Sequence, residues 1–378
     1  MGIITQPLDR QDVLDRSARR PTVAVLKTSP EAYFEDYRKL MHLAEYEKYL
    51  PKDKDTALKI NISWHTFYPA CSTTPWQLDA VIKTMLEDGY RKDLLHACHN
   101  RTVVVSAKLG EKTNKQKPVI EKYGLRNIHL YESGQEWTVY RPKGKMLALD
   151  KIYPDGIRIP KRFFGENILH LPTMKTHVFT QMTGAMKNAF GGLLNEKRHF
   201  THSVIHETLV DLLTIQKEIH TGLFAVMDGT FAGDGPGPRC MVPYEKDYIL
   251  ASHDQVAIDA VSAHMMGFDP LSIPFIRMAH EHGLGCGDLR QINLVGADVS
   301  RENFRFHKNQ NTFASWGQRL IYWGPLKPLE TFLLRTVLAP WSYLASVIYH
   351  DVYWYNVIGR RRVRQAMQGK WGQLFQKY

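Results

Sequence analysis

The chain has 378 residues, 44% of them apolar, 11% aromatic and 23% charged, which excludes a mainly disordered, collagen-like or multi-span membrane protein and leaves room for a large core. Its four cysteines, Cys71, Cys98, Cys240 and Cys286, form no C-x-x-C pair, so no disulfide framework, zinc ribbon or iron–sulfur cluster is expected. The net charge of +11 is uneven, because residues 313–378 carry nine Lys or Arg against only Glu330 and Asp351, and the excess belongs mostly to that last segment.

The first twenty residues, MGIITQPLDRQDVLDRSARR, lack the apolar stretch of a secretory leader, and a cytoplasmic location is expected. Extended runs of branched residues at 22–26, 57–63, 94–99, 127–131, 167–171, 223–228, 248–252 and 292–295 alternate with helical patterns. This is the sign of βαβ units, so the fold expected is α/β, a mostly parallel sheet with helices on both faces. Thr74-Pro75 opens one helix, in which Leu78, Val81, Ile82, Met85 and Leu86 recur at helical spacing until Gly89. The lysine-rich segment 108–122 reads as a flexible surface loop. Further helices are predicted at 201–220 and at 255–266, the second capped by Asp254 and closed by Gly267.

Three regions result: an N-terminal extension with the first strand and helix (1–54), an α/β core (55–300) and a helical, aromatic and basic appendage (301–378). The appendage holds five of the eight tryptophans, and aromatics mixed with bases suit a lipid headgroup interface. Its uncharged run TVLAPWSYLASVIY falls short of the ~20 residues that cross a bilayer. Two partners therefore suit it, an anionic membrane surface on which it lies flat or a second subunit; nucleic acid is not expected.

Residues 167–194, NILHLPTMKTHVFTQMTGAMKNAFGGLL, read as a strand ending at Pro172, a polar loop and a helix entered near Thr183-Gly184. At such a strand end, loop side chains and free helix N–H groups converge on ligands. Lys175, His177, Lys187 and Asn188 supply cations, an imidazole and an amide, and the small residues around them permit close backbone approach. Asp228 ends an apolar strand before the Gly- and Pro-rich stretch AGDGPGP, where a carboxylate could face a cation. His199, His202 and His206 are spaced H-x-x-H-x-x-x-H; His202 and His206, four apart, are the metal candidates, a divalent ion being the metal considered. Solvated histidines on a helix face are the plainer alternative.

The pattern K-T-H-x-x-T-x-x-T-G-A-x-K-N-x-F-G at 175–191 resembles the hallmark of the family catalogued as domain of unknown function 362. Lys59-Ile60-Asn61, Thr73-Thr74-Pro75, Val226–Gly229 with Gly233–Pro236, and SHDQVAID at 252–259 are similar to further elements of that family, over roughly residues 55–297. Many of its members carry a ferredoxin-like cysteine cluster that this chain lacks. H-x-F-x-x-x-T-G-x-x-K from His177 to Lys187 is similar to a motif of the nickel-pincer lactate racemases. That resemblance implies an acid/base pair, His99 and His177, around a 2-hydroxy acid, with Lys187 beside a cofactor. The function expected is an enzyme acting on a small carboxylate or phosphate by acid/base chemistry. His177, Lys187, Lys175 and His99 would be catalytic, and Lys187, Asn188, Thr183, Gly184 and Asp228 would hold the ligand or cofactor. The alternative is a non-catalytic, membrane-associated protein that holds an anionic lipid or cofactor.

Overall fold

A computed structural model of the protein describes residues 20–335 and 339–378. The stretch 1–19, on which the absence of a leader was read, and residues 336–338 of the uncharged run lie outside the described residues. Strands form where apolar and branched residues send alternate side chains to opposite faces. They are β1 (Thr22–Lys27), β2 (Thr56–Ile60), β3 (Leu95–His99), β4 (Arg126–His129), β5 (Trp137–Tyr140), β6 (Ile157–Pro160), β7 (Asn167–Leu171), β8 (Thr173–His177), β9 (Gln181–Met182), β10 (Gly222–Asp234), β11 (Val242–Ser252) and β12 (Asn293–Gly296).

The main sheet runs β12-β1-β11-β10-β7-β2-β3-β4. From β10 to β4 every pairing is parallel, while β11 runs antiparallel to both β10 and β1. The fold is thus α/β with a mixed, mostly parallel sheet. Every residue of β2, β3 and β7 is buried, as expected of parallel strands covered on both faces. Ala225 and Met227 of β10 join a core with Leu209, Leu213 and Ile258 on one face, and Phe224 and Val226 join Tyr37, Trp76 and Val81 on the other.

Residues 20–54 contribute β1 to the interior of this sheet, between β11 and β12. The helix Pro75–Glu87 starts where expected, with Thr74 accepting the amide of Gln77. Gln255–Met266 is capped by Asp254 through the amides of Val256 and Ala257 and closed by Gly267 at φ 93°.

Three expectations are corrected. The segment 108–122 is not a loop but two helices, Ala107–Thr113 and Gln116–Tyr123, with Ser106 capping the first and Val119 and Ile120 buried. Lysines on the outer face of these helices mimic the composition of a loop. Residues 173–177 are strand β8 rather than a polar loop: Pro172 breaks the chain so that β7 and β8 pair in turn with the long β10. The helix beginning at 201 is irregular at first and becomes α-helical over Ile205–Ile219.

The C-terminal segment is helical as expected: Phe313–Tyr322, Glu330–Arg335, Ala339–Val347, a π-helical run Ile348–Gly359, Arg360–Ala366 and Lys370–Lys377. Its end belongs to the core. Trp371 is fully buried 5.1 Å from Trp76, and Phe375 stacks 3.9 Å from Phe67. Trp354 is buried against Trp64 and Tyr68. Phe313, Trp316, Phe332, Trp341, Val352, Tyr353 and Val357 are each more than half exposed. Among the described residues no helix is long and apolar enough to cross a membrane.

Candidate functional site

The carboxyl ends of β2 and β3 and the bend after β7 open onto a cavity of about 240 Å³, the place where parallel sheets set their ligands. Its wall includes Lys59 from β2 and Asn61 just after it, His99 from β3, His177 from the end of β8, and Thr183, Gly184, Lys187 and Asn188 from the turn and helix that follow. Arg198, His199, His202 and Arg239 complete it. Four cations and four imidazoles line the cavity, and no Asp or Glu does among the described residues.

Local packing explains the motif's glycines and small residues. Gly184 sits at φ 152°, and a Cβ there would lie 2.3 Å from Asp259 Oδ1, whose carboxylate accepts the amides of Ala185 (2.6 Å) and Met186 (3.1 Å). Burial pushes Asp259 up to about 8. A Cβ on Gly192 would meet the Lys59 chain at 2.9 Å; this glycine lets Lys59 run along the helix to the cavity. Asn188 donates to the carbonyl of Lys59 (2.8 Å) and to His170 Nδ1 (3.3 Å), tying the helix Ala185–Asn188 to β2 and β7.

His177 Nδ1 accepts the amides of Phe179 (3.1 Å) and Thr180 (3.4 Å), so its proton sits on Nε2. Burial, then Lys187, His202 and Lys175, hold this imidazole well below its ordinary value, and it is neutral. Burial, followed by Lys175 and Arg198, brings Lys187 down to about 7. Its Nζ lies 5.3 Å from the centre of the Phe190 ring. Burial also lowers Lys59 to about 8. An amine near 7 is suited to give or take a proton at neutral pH.

Lys175 is not in the cavity wall. It is fully buried behind it and donates to Cys71 O, Thr173 Oγ1 (2.8 Å) and Ser63 Oγ (3.3 Å). Asp228 also stands apart. Its oxygens accept hydrogen bonds from the Tyr37 and Thr74 hydroxyls, the Trp76 indole, and the amide and hydroxyl of Thr230. It ties β10 to the helices Tyr33–Leu43 and Pro75–Glu87 and is not part of the cavity wall.

His202 lines the cavity, and burial lowers it to about 3; His206 instead stacks 5.9 Å from Phe275 and is outside the wall. These two residues join no group of three metal-ligating side chains among the described residues.

Sequence reasoning missed Lys59 as a site cation, Arg198 and Arg239 in the wall, and Glu111, which contacts His99. Lys59 is distinguished in the sequence only as part of a family motif, and Glu111 lies in a segment whose lysines give it the composition of a loop.

A family model described as Domain of unknown function (DUF362) matches residues 56–264, more than half of the chain and including every motif residue of the cavity. A thylakoid-associated protein of Synechocystis sp. is 29% identical over 151 residues, 38% of this chain and 45% of its own length. The chain therefore matches less than half of that relative. The likeness to nickel-pincer lactate racemases gains no support from these comparisons.

Proposed function

We propose a function from the premise that the chain belongs to the domain of unknown function 362 family: the cavity binds a small anion, a carboxylate or phosphate, and moves a proton on it. The observation that carries this is the charge of the wall, where Lys59, Lys187, Arg198 and Arg239 converge with no carboxylate among the described residues. Buried like charges are costly until a counter-ion arrives, and Arg239 Nη1 is buried without a hydrogen-bond partner among the described residues, a donor left for an anion.

His177, with its proton on Nε2, donates a hydrogen bond to the anion or to charge that develops on it. Lys187, near 7, exchanges the proton. Lys175 acts from behind as a positioning charge, keeping the proton on Lys187 weakly held.

Calorimetric titration with inorganic phosphate and with small 2-hydroxycarboxylates tests this. Wild type is expected to bind at least one of these anions, with affinity falling ~10-fold or more in Lys187→Met. His177→Phe should retain most of the fold's stability. Absence of binding by wild type, or equal binding by the lysine variant, defeats the proposal.

A second feature supports a reading in which this chemistry works at a membrane surface. The exposed apolar side chains between Phe313 and Val357 lie on the segment that carries exposed Arg360, Arg361 and Arg364, a combination suited to anionic headgroups. The relative's description as thylakoid-associated agrees with it.

A further inference from the structure

Beside the cavity, three ligand-bearing side chains meet in the core. β3 and β4 pair in parallel with His99 opposite His129, which sets two imidazoles side by side. The crossover helix Ala107–Thr113 lays Glu111 over both. All three residues are buried, and one ligand atom from each lies within 4.8 Å of the others. Glu111 Oε1 is 2.8 Å from His129 Nε2 and also contacts His99 Nε2.

Outer partners hold two of the three. Asn127 donates to Glu111 Oε2 at 2.9 Å, and Glu132 lies 3.4 Å from His129 Nδ1. The remaining ring nitrogen, His99 Nδ1, is buried with no hydrogen-bond partner among the described residues, and His99 is part of the cavity wall.

We propose that His99, Glu111 and His129 bind a divalent first-row transition metal ion, placed next to the anion cavity. Two imidazoles and one carboxylate suit zinc, manganese, cobalt or nickel; calcium and magnesium take mostly oxygen ligands. Three protein ligands leave a coordination position open, as in catalytic rather than structural sites. A metal-bound histidine keeps its proton on the other ring nitrogen and gives it to an outer acceptor. Glu132 is that acceptor for His129. For His99 none stands among the described residues, and the acceptor is the anion in the cavity, which links occupancy of the two sites. The second group of this kind, His42, Glu47 and Asp88, is largely exposed, and its carboxylates are already engaged, Glu47 by Lys52 at 2.5 Å and Asp88 by the Tyr46 hydroxyl at 2.6 Å.

The metal site stands independently of proton exchange at Lys187. The full chain, stripped with chelator, is titrated with zinc by calorimetry and with cobalt by visible absorption. One ion per chain is expected, with the d–d bands of nitrogen and oxygen ligation and a rise in melting temperature. His129→Gln and Glu111→Gln should each weaken zinc binding by ~10-fold or more, while His42→Ala leaves it unchanged. Circular dichroism of the metal-free variants checks that they fold, and the wild-type cobalt spectrum decides the question even if one does not. Lack of stoichiometric uptake by wild type, or undiminished uptake by folded His129→Gln, overturns the site and leaves two imidazole N–H groups sharing a carboxylate. Either result leaves phosphate binding at Lys187 to be decided by its own titration of the metal-free protein.

Discussion

Lys187 is a cation whose nearest charges are also cations, Lys175 and Arg198, and its value near 7 follows from burial and that company. An ordinary lysine loses its proton near ~10.4. Between about 7 and 10 the unfolded chain therefore holds a proton that the folded chain has released, and this residue makes stability rise with pH across that window. Lys187→Met is expected to be more stable than wild type at pH 7, by roughly 1 kcal/mol because the amine keeps a face on the cavity. The gap should close toward pH 10. Urea denaturation at pH 7 and pH 9.5 checks it, and a gap that stays constant contradicts the lowered value. Anion affinity should run the other way, falling as pH rises through 7. Asp228 provides the contrast. Losing its carboxylate strands five donors, so Asp228→Ala should cost roughly 3 kcal/mol while the folded fraction keeps its phosphate affinity; weakened binding by that fraction would return Asp228 to the site. At this scale the sequence was informative where the motif is contiguous: His177, Thr183, Gly184, Lys187 and Asn188 do share one cavity. It misplaced Asp228 because the Gly- and Pro-rich stretch after it reads as a loop, whereas β10 runs on to Asp234 and keeps Asp228 within the sheet against a helix N-terminus. It placed Lys175 with the others because a polar stretch conceals that β8 turns that side chain inward.

Strands with a two-sided apolar pattern are legible as elements, and β2, β3 and β7 lie where branched residues put them, whereas β10 runs six residues beyond Asp228 and β11 begins six before Tyr248, where the apolar pattern gives no signal. β8 was not, since its residues Thr173, Met174, Lys175, Thr176 and His177 are mostly polar and are held by pairing with β10 rather than by apolar alternation. The helix bearing Glu111 was hidden by its lysines. The turn into Ala185–Asn188 depends on one glycine: at φ 152° a side chain at 184 is strained and would collide with Asp259. Gly184→Ala should cost roughly 2–3 kcal/mol and loosen the cavity wall, so that phosphate affinity falls even in conditions where the variant is folded. Thermal unfolding and titration together check this; an unchanged melting temperature would mean that the Asp259 cap does not fix the turn.

On the scale of the whole molecule, composition located the aromatic and basic C-terminal segment but could not say which aromatics face out. Trp354 and Trp371 go inward, whereas Trp341 and Tyr353 are exposed; only packing against Trp64, Tyr68 and Trp76 separates the two sets. Truncation at residue 311 would strip Trp371 from the core, so membrane attachment is better tested by substitution. Full-length protein should sediment with phosphatidylglycerol vesicles and be released by salt, and Val352→Asp with Val357→Asp should reduce sedimentation severalfold without lowering the melting temperature. Equal sedimentation of wild type and the double variant, or none with either, contradicts a membrane-facing surface. The account as a whole rests on an anion entering the cavity at the ends of β2, β3 and β7. Diffraction from crystals soaked in selenate, with the anomalous signal of selenium, locates that anion directly. Density within hydrogen-bond reach of Lys187 and of Lys59, Arg198 or Arg239 is the predicted result; a cavity without density while selenate occupies other surfaces would contradict it.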